Sequence, residues 1–213
     1  MEKTVKQLHY ELLGNTMITA LEKRRMEAYY CPTAKDALKK ALELIPEGSS
    51  VSWGGSVTIT DIGLKDEIRK GNYVAIDREV AKDPQEAYEI QRQGLLSDFF
   101  LTSTNAITED GILVNIDGMA NRVASIAFGP KNVIIICGMN KVTSTLESAI
   151  ARARSQAAPI NAMRFDINTP CHTTGVCHNC KSDDCICTQF LITRMSKVKN
   201  RIKVILVGEE IGF

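Results

Sequence analysis

Ser50-Val51-Ser52-Trp53-Gly54-Gly55-Ser56-Val57-Thr58 decides the fold, because it reads as a short strand, a glycine turn and the entry to a helix. The helix is expected from about Thr58 to Arg69, ends at Gly71-Asn72, and is followed by a strand over Tyr73 to Asp77. One β-α-β unit is thereby written, and the same alternation extends in both directions. Upstream, Val5, Leu8, Leu12, Leu13, Met17, Ile18 and Leu21 recur at three- and four-residue steps and predict an amphipathic first helix with His9 on its polar side. Met26 to Cys31 reads as a strand, and Pro32-Thr33 introduces a helix from Ala34 to about Leu44, closed by Pro46-Glu47-Gly48. Downstream, Pro84 opens a helix to about Leu96, and Phe99 to Ser103 is a strand. Ala106-Ile107-Thr108 and Ile112-Leu113-Val114 flank Glu109-Asp110-Gly111 as a hairpin. Met119 to Phe128 has helical character, Val133 to Cys137 is a buried strand, Thr143 to Ala157 a helix capped by Thr143 or Ser144, and Ile202 to Val207 a late strand. Strands alternating with helices predict one α/β domain over residues 1–213, a mainly parallel sheet with helices on both faces.

The composition excludes several function classes. The 213 residues carry 26 Lys+Arg against 25 Asp+Glu, a formal net charge of +1 and 44% hydrophobic residues, with no basic or acidic tail. A nucleic-acid binder concentrates positive charge, and the one basic run, Arg194 to Lys203, alternates Lys197, Lys199, Arg201 and Lys203 like a solvated strand face. No segment approaches the roughly eighteen apolar residues of a membrane span. Thiol-rich composition behind an unremarkable Met1-Glu2-Lys3-Thr4 start predicts a cytoplasmic protein.

Ligands of such sheets bind beyond the strand carboxyl ends, which singles out Gly54-Gly55-Ser56, Ser103-Thr104-Asn105 and Gly138-Met139-Asn140-Lys141. Gly54, Gly55, Ser56 and Thr58 could offer backbone N–H groups and hydroxyls to a phosphate or carboxylate, although glycines also make ordinary strand-to-helix turns. Asn105 could bind substrate. Glu109 or Asp110 could act as acid, base or nucleophile, or simply turn a hairpin. Asp117, Asn121 and Arg122 form a second polar group, in which Arg122 could grip an anion bidentately or pair with Asp117. Lys141 follows a buried strand and could neutralise an anion in the same cleft or lie on the surface.

Five of the seven cysteines, Cys171, Cys177, Cys180, Cys185 and Cys187, fall within seventeen residues. A disulfide framework suits neither this length nor an odd count, and a thioredoxin-like pair belongs near the start of a β-α-β unit, not in a late loop. Thiolates are soft ligands, and Cys177-x-x-Cys180 brings two sulfurs within reach of one metal, with Cys171 and either Cys185 or Cys187 completing a set. Spacing leaves zinc and iron–sulfur both open. His172 and His178 are alternative ligands, whereas His9, Cys31 and Cys137 read as structural.

Taken together, Trp53-Gly54-Gly55-Ser56-Val57-Thr58, Thr104-Asn105-Ala106-Ile107-Thr108-Glu109-Asp110-Gly111, Asn115-Ile116-Asp117-Gly118 with Asn121-Arg122-Val123-Ala124, Phe128-Gly129-Pro130 and Gly138-Met139-Asn140-Lys141 resemble the LUD-domain, or lactate-utilisation, family, near its protein C branch. The resemblance implies a Rossmann-like fold similar to the NagB, ribose-phosphate isomerase and CoA-transferase superfamily. It raises Glu109 and Asp110 as catalytic candidates and Asn105, Asp117, Asn121, Arg122 and Lys141 as ligand contacts. It matches Cys171, Cys177, Cys180 and Cys187 to the metal positions of a loop over 170–188, with Cys185 a departure where a basic residue is common. The activity it implies is support of the oxidation of lactate or a related 2-hydroxy acid, with a 4Fe-4S cluster and iron–sulfur or redox partner subunits, and it leaves room for a homo-oligomer. Two rivals are a metabolite-binding regulatory module with structural zinc, and a stand-alone isomerase or transferase of a phosphorylated or CoA-linked substrate.

Overall fold

The apolar run Val133 to Cys137 forms a strand buried on both faces, because its side chains alternate between two cores. Around it, the computed structural model describes residues 2–213. The chain runs through α1 (Val5–Lys23), β1 (Glu27–Cys31), α2 (Ala34–Glu43), β2 (Ser50–Trp53), α3 (Val57–Asp61), α4 (Leu64–Lys70), β3 (Val74–Ile76), α5 (Pro84–Gly94) and β4 (Phe99–Thr102). It continues through β5 (Ala106–Thr108), β6 (Leu113–Asp117), α6 (Asn121–Ala127), β7 (Asn132–Gly138), β8 (Val142–Thr143), α7 (Leu146–Arg152), α8 (Ala158–Ala162), α9 (Pro170–Thr174), β9 (Gln189–Thr193) and β10 (Ile202–Val207).

The main sheet has the order β1-β10-β7-β4-β2-β3, and every pairing is parallel. On one face Ile134 and Ile136 join Val51, Trp53, Leu101 and Ile205 beneath α2, α3 and α4. On the other, Val133, Ile135 and Cys137 join Phe100, Val204 and Leu206 beneath α1 and α6. Each fully buried aliphatic side chain contributes about 1.5–3 kcal/mol, so this two-faced burial is the main support of the fold. The α/β architecture with helices on both faces is as the sequence predicts.

Four local differences have physical causes. The helix expected from Thr58 to Arg69 is two, because Gly63 takes a left-handed φ of 77° between α3 and α4. Thr145, not Thr143 or Ser144, caps α7 by accepting from Ser148 N, since Thr143 is committed to β8 and pairs with Thr108. The helix expected to run to Ala157 is α-helical only to Arg152, then passes through a π-helical turn at Ala153–Ala157 into α8. The alternating basic run is mostly the β9–β10 connection, and Lys203 alone enters β10, where it pairs with Glu27 at 2.9 Å.

Two further features escaped the sequence. A second sheet, β8-β5-β6-β9, contains the expected β5–β6 hairpin, extended by β9, which runs antiparallel to β6 with Asp117 opposite Gln189. The apolar stripe of α1 is buried only in its second half: Met17 and Leu21 are inaccessible, while Val5 and Leu12 are exposed. Nineteen helical residues span about 29 Å, whereas the five-residue β1 against which α1 packs covers about 17 Å.

Candidate functional site

The carboxyl ends of β2, β4 and β7 lie side by side, and the segments that follow them wall a cleft of about 340 Å³. That volume lies in the range of metabolite and cofactor pockets. Gly55, Ser56 and Thr58 come from the first segment, Ser103, Thr104 and Asn105 from the second, and Lys141 from the third; the β6–α6 connection adds Asp117, Asn121 and Arg122. Gly54 lies just beneath, against the stem of Arg122. Arg78, Arg122, Lys141 and Arg164 line the cleft against one acidic side chain, Asp117. A chain of near-zero net charge thus gathers four cations around one cavity, an arrangement that attracts an anion.

Lys141 is the deepest of the four, with 1% of its surface exposed. Its Nζ donates to Thr58 Oγ1 at 2.8 Å and Ser103 Oγ at 2.9 Å, and no carboxylate lies within ion-pair distance of it among the described residues. Burial, assisted by Arg152 and Arg122 and opposed by Cys137 and Asp61, brings its pKa down to about 8. Arg122 has a different job. Its Nη1 donates to Ser103 O at 3.3 Å and Asn115 Oδ1 at 2.7 Å, and its Nη2 to Asn105 Oδ1 at 3.0 Å and to Ile116 O. Both terminal nitrogens are therefore spent on the protein, so of the two alternatives, an anion grip and a pairing with Asp117, Arg122 is placed for the second, with Nε 3.9 Å from Asp117 Oδ2, and ties β4, β6 and α6 together. Asp117 is likewise occupied: Oδ2 accepts from Arg122 N and Val123 N, both at 3.0 Å, capping α6 where Ala120 has no side chain to do so. The ligand-facing cations that remain are Lys141 in the floor, Arg164, and Arg78, whose guanidinium makes no hydrogen bond or ion pair among the described residues. Arg164 donates to Gly55 O at 3.1 Å and Asn161 Oδ1 at 2.9 Å from the exposed rim.

Beside this cleft lies a small cavity of about 50 Å³ onto which Cys171, Cys177, Cys180, Cys185 and Cys187 all open, together with His178. Burial first, and then the neighbouring thiols, push Cys187 up to about 12. Among the described residues no three His, Cys, Asp or Glu side chains stand close enough around one point to hold a metal ion as placed. The donor chemistry nevertheless fits a thiophilic metal or iron–sulfur centre, because five soft sulfur donors line one cavity. His178 instead shares a hydrogen bond of 3.0 Å with Thr174 Oγ1, and His172 does not face the cavity. The two cavities share Ile186 as a wall. Thr188 N donates to Asp117 O at 2.9 Å, and a Cβ on Gly118 would stand 3.3 Å from Ile186 Cα, so the cysteine loop is laid directly on the cleft's Asp117-Gly118 edge.

The LUD domain model matches residues 15–207.

The chain belongs to the LUD domain family.

No curated protein matches this LUD domain protein. Among solved structures it is similar to a DUF162 family protein from Deinococcus radiodurans, with TM-score 0.55 and 11% identity over 93% of this chain and 98% of that one, a likeness of fold. The likeness to eIF2B delta from Chaetomium thermophilum is much weaker, with TM-score 0.32 and 17% identity over 66% and 54% of the two chains. Within this LUD domain, Glu109 and Asp110 stand outside the cleft. Glu109 is exposed, and its backbone N donates to Thr143 O at 2.9 Å. Asp110 pairs with Arg24; the Thr108 hydroxyl first, then Arg24, holds its carboxyl below the usual range. They close the β5–β6 hairpin, the local alternative to a catalytic role. Arg78, Arg164 and Phe165, by contrast, enter the cleft from segments that carry no motif, and only their convergence in space marks them.

Proposed function

We propose that this LUD domain protein binds a small carboxylate of the 2-hydroxy acid class, such as lactate, in the cationic cleft and supports its oxidation together with redox partner proteins. The observation that carries the reading is Lys141: a buried ammonium held by two hydroxyls, with no carboxylate to neutralise it, at the floor of a cleft with four cations. Such a charge is costly unless a ligand completes it. Membership in a family associated with lactate utilisation supports the choice of carboxylate.

Oxidation of a 2-hydroxy acid to its 2-oxo acid releases two electrons and two protons, and the electrons must reach the partner's oxidant. A cluster held by Cys171, Cys177, Cys180 and Cys187 would supply one-electron storage between the two. Lys141 and Arg78 hold and orient the carboxylate, the Thr58 and Ser103 hydroxyls fix the amine, and Ile116, Phe165 and Ile186 keep water from part of the cavity. A carboxylate-driven isomerase or transferase loses its working groups here, since Glu109 and Asp110 lie elsewhere.

The visible spectrum and metal content of anaerobically purified protein, with calorimetric titration of lactate, test the reading. Broad visible absorption with iron and sulfide, lost in Cys177→Ser, together with lactate binding lost in Lys141→Met, is the expected result. Colourless protein with stoichiometric zinc would instead favour a structural metal and a metabolite-sensing module.

A further inference from the structure

We infer that Lys141 is a nucleophile that condenses with the carbonyl of a 2-oxo acid bound in the cleft, so that the site performs imine chemistry in addition to holding an anion. The inference rests on the reading of the cleft as a carboxylate site.

Three features of the geometry distinguish Lys141 from a simple counter-ion. Lys141 is 1% exposed yet borders the cavity, so its amine is shielded from bulk water on the sides that face the protein and is approached from the cleft. Its partners are hydroxyls, Thr58 Oγ1 at 2.8 Å and Ser103 Oγ at 2.9 Å, which can both accept a proton from the amine and return one to a leaving oxygen. A salt-bridged lysine is locked as ammonium, whereas here no carboxylate among the described residues pairs with the amine, and the charged influences on it are Cys137, which favours the ammonium, Arg152 and Arg122, which disfavour it, and Asp61, which favours it. With burial as the largest influence, the outcome is a pKa of about 8, so a large share of the amine carries a free lone pair in mildly alkaline solution.

The cleft also offers a place for the carboxylate of such a substrate. Asn105 Oδ1 is occupied by Ile116 N at 2.9 Å and Arg122 Nη2 at 3.0 Å, which leaves its Nδ2 as an uncommitted donor, and the Arg78 guanidinium is without a protein partner among the described residues. Ser103 joins the two ends of the site: its hydroxyl receives Lys141 and its carbonyl receives Arg122. In the step itself the Nζ lone pair attacks the 2-carbonyl carbon and forms the C–N bond. The two amine protons pass to the departing oxygen, the C–O bond breaks and water leaves, so no oxidant or reductant is consumed.

The test is reductive trapping. The full chain is incubated with pyruvate and sodium cyanoborohydride and followed by intact mass and peptide mapping, in parallel with calorimetry of pyruvate. The expected result is one adduct per chain, on the peptide bearing Lys141, absent from Lys141→Met, with a labelling rate that rises through pH 8 while ordinary surface lysines respond nearer pH 10.4. The map of the unsubstituted protein decides the matter even where Lys141→Met fails to fold. Pyruvate binding without an adduct on Lys141, or an adduct scattered over surface lysines, overturns the imine and leaves the carboxylate site standing. Absence of both binding and adduct overturns the two together.

Discussion

Lys141 and Arg122 meet on the same residue, Ser103, and burial disfavours the charged form of both, but Arg122 is met by four acceptors and Lys141 by two hydroxyls. The Lys141 pKa of about 8 lies below its unfolded value of 10.5, so folding must expel or isolate a proton that the unfolded chain holds freely. The resulting penalty is fully present below pH 8 and is relieved as pH rises from about 8 toward 10.5, and it corresponds to about 3 kcal/mol. Lys141→Met should therefore raise stability at pH 7, measured by urea denaturation, while abolishing anion binding; a less stable variant would show that the hydroxyl contacts outweigh the buried charge. An anion bound against Lys141 favours its protonated form. Titrations near pH 8.5 in buffers of different ionisation enthalpy should accordingly report proton uptake on binding. Arg122 behaves as a structural tie. Arg122→Lys replaces a planar fork by a point donor that cannot serve Ser103 O, Asn115 Oδ1 and Ile116 O together, and each acceptor left unpaired costs about 1–3 kcal/mol. A loss of at least about 2 kcal/mol in denaturant stability is expected; a loss confined to ligand affinity would return Arg122 to the binding role.

At the scale of elements, the edge between the β6–α6 connection and the cysteine loop is held by backbone. Gly118 stands where a Cβ would meet Ile186 Cα at 3.3 Å, so Gly118→Val, with two methyls beyond that Cβ, should lift the loop from the cleft wall and disorder the thiol cavity. Metal content and the rate of thiol labelling after purification would show it, the first falling and the second rising, and unchanged values would mean that the loop accommodates the branch. The strands of the main sheet, the β5–β6 hairpin, most of the helices and the three strand-end segments of the cleft were legible because apolar runs and glycine or proline punctuation are local signals. What was not legible is what depends on distant partners. β9 is a five-residue edge strand, half exposed, whose existence depends on β6. The break at Gly63 looks like any glycine within a helical composition until its φ is known. Arg122 beside Asp117 suggested an ion pair or an anion clamp, whereas the decisive acceptors, Ser103 O and Asn115 Oδ1, come from other segments. Asp110 needed a catalytic cavity around it, and folding placed Arg24 there instead.

For the molecule as a whole, one shared wall predicts that the thiol cavity and the anion cleft are thermodynamically linked. Ile186 faces both, and Thr188 hangs the loop from the backbone of Asp117, whose carboxylate in turn caps α6 and fixes the position of Arg122. A metal gathered by the cysteines would order residues 170–188, and with them one side of the cleft, before the anion arrives; the ordering cost then no longer falls on anion binding. Couplings of this kind amount to about 1–3 kcal/mol, or roughly 5- to 150-fold in affinity, and they act equally in both directions. Pyruvate or lactate should therefore bind metal-depleted protein at least about five-fold more weakly than loaded protein. The same anion should retard loss of metal to a chelator, and Lys141→Met should remove that protection without touching a thiol. Calorimetry on loaded and depleted protein, paired with chelator kinetics with and without anion, reads both arms. Equal affinities in the two forms would mean that Ile186 separates two independent sites, and that the cysteine loop stabilises the fold without informing the cleft.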